Sequence, residues 1–139
     1  MNEKDEQLQK LMKLVEKSSF NHLEEITQGL KIQTITLESK SNNEVPALSL
    51  LDIYKHRANG LAQRHKSFHS QRLVKDMLAF CENLAKFPDE KISFWRLRID
   101  ESWSYTIFEG IESNRILGCI LTADKRFVSE EEWEKIWNN

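Results

Sequence analysis

Residues 95–121 read WRLRIDESWSYTIFEGIESNRILGCIL. Trp95, Leu97 and Ile99 alternate with Arg96 and Arg98; Trp103, Tyr105 and Ile107 alternate with Ser104 and Thr106; Leu117, Cys119 and Leu121 alternate with Gly118 and Ile120. A period of two is that of a β-strand, whose side chains point alternately to opposite faces. The connections, Asp100-Glu101-Ser102 and residues 110–115, are short, and short connections join antiparallel neighbours. The spacing predicts a three-stranded antiparallel meander with one face packed and one partly open. Trp95 and Trp103 flank the first turn and are expected to pair across it.

Upstream the period lengthens. Residues 47–86 contain no proline and only Gly60, so they read as helix. At about 100° per residue, Leu50, Tyr54, Leu61 and Phe68 form one stripe, and Leu73, Met77, Phe80 and Leu84 a second displaced by about 140°. One straight helix cannot send both stripes into one core. A break is predicted near His69-Ser70, with Ser70 as N-cap; Asn59-Gly60 is the competing break point. Phe87-Pro88-Asp89 ends the second helix.

Nearer the N-terminus, Leu8, Leu11, Met12 and Val15 give residues 4–17 an amphipathic helical pattern. Asn21 and Glu24 have capping-box spacing, predicting a short helix that stops at Gly29. Residues 30–38, rich in Ile and Thr, read as a strand, and the slip between Ile32 and Ile35 suggests a bulge or two covered faces. Residues 39–46 read as a polar loop. At the other end, Ser129 and Glu132 form a capping box, with Trp133, Ile136 and Trp137 on the apolar side of a short terminal helix. The expected fold is α+β: N-terminal helices and a strand, two central helices, the meander and the terminal helix.

A length of 139 residues suits one domain, residues 1–139. No apolar run approaches a membrane span. Residues 1–5 include the charged Glu3, Lys4 and Asp5 and carry no signal-peptide core, so a cytoplasmic protein with no membrane partner is expected. Glycine occurs only at positions 29, 60, 110 and 118, which leaves no glycine-rich phosphate loop and no Gly-x-Ser-x-Gly elbow. No cofactor is expected. Cys81 and Cys119 fall on apolar patterns and read as small buried hydrophobes.

Charge is distributed unevenly. The net charge of −2 hides residues 53–75, which hold six bases and no acid: Lys55, Arg57, Arg64, Lys66, Arg72 and Lys75. Such a segment can steer an anionic partner. By angle, Arg57 and Arg64 fall on one side of the helix and Lys55 and Lys66 on the opposite side, so no single phosphate-tracking stripe forms, which weakens a nucleic-acid reading. The same segment holds His56, His65 and His69. His65 and His69 are spaced i, i+4, as zinc ligands on a helix are, but Lys66 stands where a zinc protease has Glu, and no third ligand is near in sequence.

The expected function is a small non-catalytic protein-binding module, an inhibitor or toxin-neutralising immunity protein of a partner enzyme or toxin. The six bases, or Glu130, Glu131 and Glu134 near the C-terminus, are its interface candidates. The alternative is a nucleic-acid-binding accessory or regulatory protein using residues 53–75. An enzyme built on His56, His65 or His69 is a third possibility.

Overall fold

The computed structural model describes residues 3–18, 22–41, 43–64 and 68–123. Four helices, α1 (Glu3–Lys17), α2 (Leu23–Lys31), α3 (Ala47–Arg64) and α4 (Phe68–Lys86), accompany five strands: β1 (Thr36–Lys40), β2 (Val45–Pro46), β3 (Lys91–Arg98), β4 (Trp103–Gly110) and β5 (Arg115–Ala123). The fold is α+β. The strands form one antiparallel sheet of order β1-β3-β4-β5, with β2 also pairing with β3.

The expected meander is therefore the centre of a larger sheet. Its register places Trp95 opposite Ile107, Leu97 opposite Tyr105, and Ile107 opposite Cys119. These side chains face α1 and α2, where Leu11, Leu14, Val15, Ile26 and Leu30 complete one apolar core. The alternate residues Ile92, Phe108 and Ile120 face α3 and α4 and meet Leu50, Leu61, Leu73, Met77, Phe80 and Leu84 in a second. Helices thus cover both faces, in place of the partly open face expected; the more exposed positions on β3 include Arg96 and Arg98, which pair with Glu38. Trp95 and Trp103 are not cross-strand partners: Trp95 lies opposite Ile107 and Lys40, and Trp103 opposite Ala123.

Neither expected break point ends a helix: α3 runs to Arg64 and α4 begins at Phe68. Gly60 lies inside α3 and Ser70 inside α4. Tyr54 and Phe80 touch edge to face, with ring centroids 5.3 Å apart.

The N-terminal half differs more. Gly29 does not end α2; it is buried within it, and a Cβ there would lie 2.4 Å from Ile35 Cδ1. The helix ends instead at Lys31 with Ile32 as C-cap; Gln33, whose φ of 62° is left-handed, follows, and the Thr34 N–H bonds to Gly29 O at 3.0 Å. Residues 30–35 are thus helix and turn, and only Thr36 to Leu37 and Glu38 of the expected 30–38 strand are extended. The register shift in this strand falls between Leu37 and Ser39. The expected loop at 39–46 contains the end of β1 and all of β2. His22, with no side-chain cap bond, stands at the N-cap of α2; Asn21 and the expected terminal helix lie outside the described residues.

Candidate functional site

Where α2 and α4 converge beside β4 and β5, five polar side chains come together. His22, at the start of α2, has a fully buried imidazole and a φ of 74°. Histidine is among the few non-glycine residues that tolerate this region. Its Nε2 lies 2.7 Å from Oδ2 of buried Asp76, and its Nδ1 is within hydrogen-bond distance of the Arg72 guanidinium. Glu25 Oε2 lies 3.6 Å from both His22 Nδ1 and Arg72 Nη2. The Tyr105 ring packs on the imidazole at 5.2 Å.

The hydrogen-bond inventory fixes the tautomer. Guanidinium only donates, so His22 Nδ1 must accept from Arg72. Nε2 then carries the proton and donates it to Asp76. Both ring nitrogens are engaged: the one lone pair, on Nδ1, is occupied by Arg72 in this arrangement. The surroundings also suppress nucleophiles. Burial, followed by Glu25, pushes the Tyr105 hydroxyl well above the usual phenol range. Burial, followed by Asp76 and Glu25, holds the Cys119 thiol well above its usual value. Burial likewise raises Cys81, against the opposing effect of Lys55. Both cysteines are buried and free, and neither is activated as a thiolate nucleophile would be.

A second polar cluster lies under α1. Trp95 Nε1 donates to the buried Glu109 carboxylate at 2.8 Å, with Lys40 and Lys10 at 3.7 and 3.9 Å from its two oxygens. Burial lowers the Lys40 pKa, while Glu109 opposes the shift. The Lys40 ammonium sits 4.9 Å from the Trp95 ring and donates to Ser93 Oγ and Ser41 O. Among the described residues, no three His, Cys, Asp or Glu side chains are arranged to hold a metal.

Four of the six basic residues singled out in the sequence, Lys55, Arg57, Arg72 and Lys75, have described side chains. Lys55 and Lys75 are exposed on α3 and α4. The Arg57 guanidinium lies 5.2 Å from the Tyr54 ring. Arg72 is turned into the His22 cluster. Arg64 ends α3, but its side chain, like that of His69 in α4, lies outside the described residues, as do His65, Lys66, Glu130, Glu131 and Glu134 entirely. Sequence reasoning missed His22, which lies far from the other three histidines. One signal was present: Asp76 interrupts the apolar stripe between Leu73 and Phe80, and an acid at a core position needs a buried partner.

No protein-family model matches the chain, and no curated protein and no solved structure is significantly similar to it. No helix among the described residues is long and apolar enough to cross a membrane.

Proposed function

We propose that the chain is a cytoplasmic, non-catalytic protein-binding module of the kind that small enzyme inhibitors and toxin-neutralising immunity proteins represent, and that its partner presents an acidic surface to α3 and α4. One observation carries this reading. The exposed large hydrophobic residues include Leu48, Ile53 and Leu78, all on these two helices, and exposed Lys55, His56 and Lys75 lie among them in sequence. Apolar anchors among charges that steer approach are what a protein interface requires. The only acid in α3 is Asp52, and neither helix has an acid in its first turn.

The test compares parent protein with a Lys55→Glu/Lys75→Glu variant. Captured from the native host at physiological salt, the parent should retain one dominant protein, and with that partner purified the variant should associate roughly tenfold more slowly at low salt. Equal association rates would remove α3 and α4 from the interface. Binding to DNA or RNA that collapses steeply with salt, without a protein partner, would replace the reading with a nucleic-acid one.

A further inference from the structure

We infer that His22 is a proton-operated latch: protonation at Nδ1 exchanges Arg72 for Glu25 as the partner of that nitrogen and releases the Arg72 guanidinium to solvent. In the resting arrangement Nδ1 accepts from Arg72 and Nε2 donates to Asp76. Imidazole is the side chain whose charge changes near neutral pH, and the only nitrogen here that can take a proton is Nδ1. Once protonated, Nδ1 is a donor facing another donor at hydrogen-bond distance, and two cations abut. That contact must open.

The groups around the ring supply the alternative. Glu25, from α2, already lies 3.6 Å from Nδ1 and needs only a small approach to accept from it. Asp76, from α4, keeps its bond to Nε2. The imidazolium is then held between two carboxylates. Tyr105 on β4 and Cys119 on β5 stay uncharged, because burial raises both, so neither competes for the proton. Arg72 is 40% exposed, which gives the displaced guanidinium a direct route to water on α4, three residues from Lys75. What the released charge then meets rests on the acidic-partner reading above; the exchange itself does not.

The experiment is nitrogen-15 NMR of the His22 ring and the Arg72 guanidinium in the full chain, titrated from about pH 7.5 to about pH 5.5. At the upper end, Nε2 should be protonated and Nδ1 bare. On acidification Nδ1 should gain its proton, and the Arg72–His22 Overhauser contact should be lost with the same midpoint. Glu25→Gln, a change at a half-exposed position, should keep that contact to lower pH. An Nδ1–H tautomer at the start, an Arg72 contact that survives the His22 titration, or unfolding before His22 titrates would each overturn the latch. Poly-glutamate binding, followed in parallel, reports on the partner reading alone: no gain in affinity on acidification, with Arg72 released, overturns that reading and leaves the latch supported.

Discussion

Glu90 is 5% exposed, yet its carboxylate is surrounded by donors. Oε1 accepts from the Glu112 and Lys91 N–H groups at 2.8 and 3.0 Å, and Oε2 from the Ser113 N–H at 2.8 Å. It fastens the 111–114 turn between β4 and β5 to the start of β3. Burial disfavours its charge, but the three backbone donors outweigh burial and hold the carboxyl below its ordinary 4.5. A carboxyl lowered by folding stabilises the protein above its ordinary range, and that contribution is lost as pH falls through the folded value. Glu90→Gln should therefore cost about 1–3 kcal/mol at neutral pH, the range for leaving buried donors short of an acceptor. Urea unfolding from neutral to acid pH should show a smaller decline for the variant; parallel curves would remove Glu90 from the acid response. Gln33 is the opposite case. It is exposed, and its left-handed φ of 62° suits glycine. Gln33→Gly should stabilise by about 1 kcal/mol, the size of the left-handed penalty it removes, seen as a higher thermal midpoint.

At the scale of elements, β5 is guarded along its outer side. Among the described residues β5 is an edge strand, but most of its residues are buried. Ser18 Oγ, just after α1, accepts from the Ile116 N–H at 3.1 Å, and Asn83 of α4 donates to Leu117 O at 2.7 Å. A side chain just past α1 and one from α4 thus cap polar groups that an open edge would offer to another chain. Gly118 allows α4 to come this close. A Cβ there would lie 2.5 Å from Phe80 Cδ1, and Phe80 in turn stacks on Phe108 with centroids 4.1 Å apart. Gly118→Ala should destabilise by about 1–3 kcal/mol through overpacking; a neutral result in chemical denaturation would show that α4 can shift without cost. The same strand marks where the sequence stops being legible. Alternation located β3, β4 and β5, since a period of two is a local signal. It also placed Leu117 and Cys119 on one face. The register shift between Phe108 and Glu109 sends them to opposite cores instead, and a bulge leaves no mark on composition. Gly29 failed for a related reason: its small size serves contact with Ile35, a tertiary demand that resembles a helix stop. The His22 cluster was illegible because the fold draws its members from three elements, with His22 and Asp76 54 positions apart in sequence, so no spacing rule links them.

Across the whole molecule, one sheet belongs to two cores. Each of β3, β4 and β5 sends neighbouring residues to opposite sides: Trp95 and Ile107 toward α1 and α2, Ile92 and Phe108 toward α3 and α4. Losing either helical layer would expose one apolar face of the shared strands. The His22–Asp76 bond adds a direct tie from α2 to α4, joining helices that serve different cores. Neither layer can therefore melt without weakening what the other packs on. That predicts a single cooperative transition, as expected of one domain of this size. Leu11 in the first core and Leu84 in the second are both fully buried, and Leu11→Ala or Leu84→Ala should each cost about 2–5 kcal/mol. In both variants, urea curves from far-ultraviolet circular dichroism and from tryptophan fluorescence should coincide at a lowered midpoint. Should Leu11→Ala instead produce an early fluorescence change with helical signal retained, the two cores would be separately stable layers, and the sheet would not couple them.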